Sequence, residues 1–103
     1  MMESRVLFEE SGTETRVAIR GALKTSDAEI LGQKLMDVVI KNNKVLIDMA
    51  ETEYICSGVL RELLACQAHI DENDNKEMII VNVNDEIMEV FEMTGLSNIL
   101  TIE

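Results

Sequence analysis

Residues 45–64 read VLIDMAETEYICSGVLRELL, and a change of rhythm inside them sets the fold. Val45, Leu46 and Ile47 form a short apolar run between polar neighbours, the pattern of a buried strand. Beyond Ser57 the apolar residues fall at Leu60, Leu63 and Leu64, which is helical spacing, so a helix is expected from about Gly58 to about Ile70. A polar connection over Asp71–Asn75 leads to a second buried strand at Met78–Val81. Strand, helix and strand in this order imply a parallel crossover.

The pattern extends in both directions. Upstream, Ser26 and Glu29 have the spacing of a capping box, which places a helix start near Asp27. Leu31, Leu35, Val38 and Val39 give that helix its buried stripe, and Asn42 and Asn43 close it. Val6–Phe8 and Arg16–Arg20 read as two strands, with turn chemistry over Glu10–Glu14 suggesting a hairpin and Gly21 ending the second strand. Downstream, Asn84 is placed to cap a helix carrying Ile87, Val90 and Phe91, and Gly95 stands where a left-handed C-terminal cap belongs. Ile99–Ile102 is a candidate last strand. The expectation is one small α/β domain over residues 1–103. Its mixed sheet has four to five strands, an initial hairpin, then parallel crossovers, with helices mainly on one face.

Composition narrows the function. The 103 residues hold 20 acidic and nine basic side chains, a net charge of −11. Residues 1–51 carry seven basic and nine acidic groups (−2), and residues 52–103 two and eleven (−9). Such a balance opposes binding to nucleic acid or to anionic lipid, both of which need clustered Lys and Arg. It suits either a solvated face or steering toward a basic protein partner. No run approaches the length of a membrane span, and the start Met-Met-Glu-Ser-Arg lacks the basic and apolar regions of a secretory signal. The expected location is the cytoplasm. Cys56 and Cys66 show no CxxC spacing, and His69 is the single histidine, which argues against a disulfide framework, a metal centre or a Ser/His/Asp triad. Neither a P-loop nor a GxGxxG motif occurs. No catalytic constellation and no cofactor follow from the sequence, so the chain is expected not to be an enzyme.

The remaining candidate is the junction Cys56-Ser57-Gly58, where a strand meets a helix whose free N–H groups favour an anion. Ser57 has two readings: helix N-cap, or a hydroxyl that receives a phosphoryl group. Cys56 reads as a small buried residue or as a reactive thiol at a helix start, the latter being the only support for a redox role. Cys66 reads as core, and His69 as an exposed residue near the helix end. Met36, Met49, Met78, Met88 and Met93 fall inside expected elements and read as core filling. Asp85, Glu86, Glu89 and Glu92 make one side of the last helix wholly acidic.

Three blocks resemble the STAS family, the anti-sigma factor antagonists of bacteria. Gly21-Ala22-Leu23 followed by Ala28–Leu31 looks like the family's entry into its first helix. Val45–Met49 through Tyr54–Ser57, continuing into Leu60-Arg61 and Leu63-Leu64, looks like its central strand and phosphoserine loop. Val90–Leu96, with Phe-x-Met-Thr-Gly-Leu, looks like the element near the end of these domains. Laid on the family's Asp-Ser-[Ser/Thr/Ala]-Gly-Leu pattern, Ser57 falls on the phosphate acceptor, Gly58 on the small third position and Leu60 on the leucine. Cys56 replaces an Asp or Ser, Val59 replaces a glycine, and Lys24 stands where many members are acidic. The resemblance implies a partner switch. The unphosphorylated domain would bind an anti-sigma factor that is an ATP-dependent serine kinase, freeing a sigma factor. Phosphorylation of Ser57 would end binding, and a phosphatase would restore it. The implied partner-binding loop comprises Lys24, Thr25, Cys56, Ser57, Gly58, Val59, Leu60 and Arg61. The alternative within the fold is an unphosphorylated scaffold or small subunit of a signalling or lipid-transport complex, which Cys56 and Val59 favour.

Overall fold

The computed structural model describes residues 6–11, by their backbone, and residues 14–103. Four strands form one sheet in the order β1 (Val6–Ser11), β2 (Glu14–Leu23), β3 (Lys44–Ile55), β4 (Glu77–Val81). β1 pairs antiparallel to β2, while β2, β3 and β4 run parallel. The tip of the expected hairpin, Gly12 and Thr13, lies outside the described residues. Helices α1 (Thr25–Lys41), α2 (Ser57–Asp71) and α3 (Asp85–Thr94) follow β2, β3 and β4 in turn.

Alternation along the parallel strands decides which face is covered. Val17, Ile47 and Ile80 are in register, as are Thr15, Val45 and Met78, and all six are buried. The five apolar ones share one core with Leu35 and Val39 of α1, Val59 and Leu63 of α2, and Ile87 and Phe91 of α3. All three helices therefore bury their apolar sides against the same sheet face. The opposite face carries the half-buried Leu46, Asp48 and Val81, where Asp48 pairs with Arg16 and accepts from Asn82 at 3.0 Å.

The last segment departs from expectation. Residues 99–102 do not form a strand: a 3-10 helix spans Leu96–Asn98, and a single parallel bridge joins Ile102 to Ile80. Gly95 ends α3 at φ 82°, the left-handed conformation that glycine adopts without steric cost. β3 is also far longer than its apolar run. The alternation of buried residues stops after Met49, and two irregularities against β2 each insert one extra β3 residue. The first sets Ala18 opposite Asp48 but Arg20 opposite Glu51, and the buried Thr52 hydroxyl donates to the Ile19 carbonyl at 2.7 Å. The second passes Glu53, beside Gly21 at φ 80°. Gly21 thus sits inside β2 and does not end it. Bulges of this kind re-aim side chains: Thr52 and Ile55 turn inward, and Glu53 and Tyr54 turn out to solvent.

Candidate functional site

The C-terminal ends of β2 and β3 are neighbours, Leu23 opposite Ile55, and each strand runs directly into a helix. The starts of α1 and α2 therefore lie side by side, tied by a hydrogen bond from the Cys56 N–H to the Leu23 carbonyl at 3.1 Å. The α1 start differs from the Ser26/Glu29 box. Lys24 is the N-cap, and Asp27 reaches back to accept from the Lys24 N–H at 2.9 Å. A carboxylate at that position does the work of a capping box two residues earlier than its sequence signature. At α3, Asn84 caps as expected, accepting from the Ile87 N–H at 2.8 Å, and its amide donates to the Thr52 carbonyl at 3.0 Å. That second bond anchors α3 to the bulged end of β3.

Ser57 is not the N-cap of α2. Cys56 takes that place with extended backbone and no side-chain cap hydrogen bond, and Ser57 is the first helical residue, exposed to solvent. A hydroxyl at this position is free of a capping duty. The first turn of α2 has no acidic residue, whereas Asp27 occupies that of α1 and Asp85 and Glu86 that of α3. The positive end of the α2 dipole thus has no carboxylate within its own first turn. Arg61, one turn further along, is exposed and has no ion pair among the described residues. Lys24 and Thr25 are exposed on the adjoining helix start.

The other expected loop residues divide by burial. Cys56 is buried, which is the bland reading of this thiol, and the reactive-thiol reading loses accessibility. Val59 is in the core with no exposed surface, so it belongs to the scaffold and not to the accessible loop. Its backbone is not in the left-handed region, so the position makes no use of a glycine's freedom. Gly58 meets a different demand: a Cβ there would lie 2.9 Å from that of Ala28, so its bare backbone is what lets α2 approach α1. Leu60 is half-buried against the core.

Several residues read differently in sequence and in structure. Met93 is 79% exposed and is not core filling, and His69 is half-buried with its Nε2 shielded and unpartnered, not exposed. Cys66 is core as expected, and burial, with the Glu62 charge behind it, pushes its thiol up to about 11. Tyr54, 55% exposed beside the site, is a surface aromatic that only the β3 bulges reveal. The seam of α1 and α2 beyond Gly58 was also missed. Gly32 lets the Glu62 side chain lie across it, and open grooves flank that crossing. Among the described residues no cluster of His, Cys, Asp or Glu could hold a metal ion, and no helix is long and apolar enough to cross a membrane.

Comparison with known proteins follows the same lines. The family described as "Mlab, STAS domain" matches residues 6–101. No curated protein matches. Among solved structures, a putative anti-sigma factor antagonist from Thermotoga maritima superposes with a TM-score of 0.85 at 17% identity, covering 96% of this chain and 86% of that one. An anti-sigma factor antagonist from Mycobacterium paratuberculosis gives 0.84 at 20% identity, covering 94% and 82%. The Bacillus cell fate determinant SpoIIAA, solved in its phosphorylated form, gives 0.73 at 13% identity, covering 95% and 90%. At these identities the superpositions establish a shared fold.

Proposed function

This chain belongs to the STAS domain family, and from that premise we propose that it is an anti-sigma factor antagonist switched by phosphorylation of Ser57. It acts as a binding module and not as an enzyme. Unphosphorylated, it binds an anti-sigma factor that is itself an ATP-dependent serine kinase, and a sigma factor is freed. The kinase modifies Ser57, the complex parts, and a phosphatase resets the switch. The observation that carries the reading is the exposed, non-capping hydroxyl of Ser57 at the first position of α2.

The local physics supports it. A phosphoryl group adds about −1.5 to −2 charges. At Ser57 it meets a helix start with no carboxylate of its own and lies one turn from Arg61, an i,i+4 spacing that favours a pair. The fold accommodates the modification, so its effect falls on the partner. An acidic group of the partner that faces Lys24, Ser57 and Arg61 would be repelled, and the dianion would have to shed water to enter the contact. Lys24, Thr25, Leu60 and Arg61 form the accessible rim around the switch, with Gly58 as the packing point beneath it. The SpoIIAA structure in its phosphorylated form is one of the folds this chain resembles.

The test compares wild type, Ser57→Ala and Ser57→Asp as tagged baits in host lysate, with a phosphopeptide assay for Ser57. Wild type and the alanine variant should retain an ATP-binding serine kinase, and the aspartate variant should lose it. Equal retention by all three, with no phosphate on Ser57, would overturn the switch. It would favour the second reading, an unphosphorylated scaffold or small subunit of a signalling or lipid-transport complex. That reading draws on the buried, non-capping Cys56 where the family pattern has Asp or Ser.

A further inference from the structure

We propose that the seam between α1 and α2 holds a basic amphipathic helix of the protein partner, with an acidic residue at the end nearest Ser57. This rests on the chain being a protein-binding module, but not on phosphorylation. Two grooves, of about 550 Å³ and about 270 Å³, open along the seam. They share Glu29 and Glu62, so together they make one trough from Ile40 to Gly58 and Arg61. Two glycines shape its floor: Gly32 lies under the Glu62 side chain, which crosses between the two grooves, and Gly58 lies against Ala28 where the helices touch.

The lining specifies the occupant. Met36 is half-buried and Ile40 is 54% exposed at the far end, giving apolar contacts for the occupant. Glu29, Asp37 and Glu62 bring carboxylates to the same trough. Asp37 is held by Lys41 at 3.1 Å, but Glu29 and Glu62 have no ion pair or side-chain hydrogen bond among the described residues. Glu62 is only partly exposed, so its charge lacks full hydration and gains from a cation. A segment that fills the trough must therefore carry apolar side chains along one stripe and Lys or Arg beside it. The span from Glu29 to Ile40 is about 16 Å at helical rise, which a helix of about three turns matches. At the other end a cation joins the shared carboxylates Glu29 and Glu62. Arg61 and the α2 N-terminus face the occupant there, and a carboxylate or a helix C-terminus fits them. The trough ends within one residue of Ser57, so the acidic end of the occupant is the part a phosphoryl group would repel.

The probe is a synthetic helical peptide of about three turns. It has leucines at helical spacing, lysines on both flanks and a glutamate in its last turn; a control peptide has the lysines replaced by glutamates. Amide shifts of the unphosphorylated protein are followed by NMR during titration. The lysine peptide should move Gly32, Met36 and Gly58 and the control should not. Replacing two carboxylates, E29Q with E62Q, should weaken binding by about two- to thirtyfold, the range of one exposed and one partly exposed ion pair. Ile40→Lys, at an exposed position that leaves the fold intact, should weaken it as well. Shifts confined to the acidic side of α3, no shifts at all, equal binding of both peptides, or indifference to the paired glutamine changes would overturn the proposal. Because the protein is unmodified throughout, a failure of the phosphorylation switch shows only in the Ser57→Asp comparison and leaves this result unaffected.

Discussion

A methyl carbon added to Gly58 would stand 2.9 Å from the Cβ of Ala28. Carbon pairs settle at about 3.5–4.0 Å, so the starts of α1 and α2 would have to part by about 0.6–1.1 Å along that line. Neither carbon can rotate away, since each is fixed to its backbone. Overpacking of this kind costs about 1–3 kcal/mol. Alanine also gains up to about 1 kcal/mol over glycine within a helix, and Gly58 has no left-handed φ to oppose that gain. The net for Gly58→Ala alone is therefore a loss of about 0–3 kcal/mol, too wide a range to identify its cause. A double-mutant cycle with Ala28→Gly separates the terms. Propensity and burial changes at each site cancel, and only the contact between the two carbons remains. Urea unfolding of the four proteins should give a coupling of about 1–3 kcal/mol, the double variant recovering what the single variant lost. Coupling below about 0.5 kcal/mol would refute the argument that Gly58 exists to let the helices touch.

Three further outcomes follow from other contacts. Asn84→Ala removes the α3 cap and the bond to the Thr52 carbonyl; it should cost about 1–3 kcal/mol by urea or thermal unfolding, while Asn84→Ser, which keeps a capping oxygen, should cost less. Burial tends to raise the pKa of Asp48, but hydrogen bonds from Asn82, the Ala50 N–H and Arg16 outweigh it and hold the carboxyl below its usual range. A depressed carboxylate stabilises the fold above its unfolded pKa, near 4, and loses that contribution as pH falls through the folded value. The stability gap between wild type and Asp48→Asn should therefore be constant near neutrality and close below about pH 4 in acid unfolding curves. Cys66, with a thiol near 11 and no exposed surface, should resist a disulfide reagent at pH 8 until the protein unfolds; prompt labelling of the native protein would refute its burial.

What the sequence disclosed depended on how local the physics was. Leu31, Leu35, Val38 and Val39 were readable because helical spacing alone buries them. Asn84 and Gly95 were readable because cap chemistry is confined to a few adjacent residues. The α1 start was misplaced because Lys24 is not a capping residue, and the working group is the carboxylate of Asp27 acting backwards. The length of β3 was hidden because its alternation breaks where β2 pairing continues through bulges, a tertiary fact. Met93 is a different kind of miss. It lies two residues beyond Phe91, roughly 200° around the helix from the buried stripe, so helical geometry alone would have turned it outward. The candidate site was legible in its residue types and not in its depth: Ser57 and Arg61 are accessible, Val59 is not, and only packing separates them. The seam between α1 and α2 left no local signature, because its carboxylates come from two helices that the sheet brings together.

The three helices each descend from a parallel strand, so their N-termini gather along one border of the sheet and their peptide dipoles point the same way. Two of the three starts carry their own acid. Against a net charge of −11, the start of α2 is thus the one of the three whose first turn leaves its dipole without an acid. A charged molecule approaching so uneven a surface would feel a torque as well as a force. A phosphoryl group fixed at that start would make the net charge more negative by only about two units, yet it would cancel the asymmetry at its source.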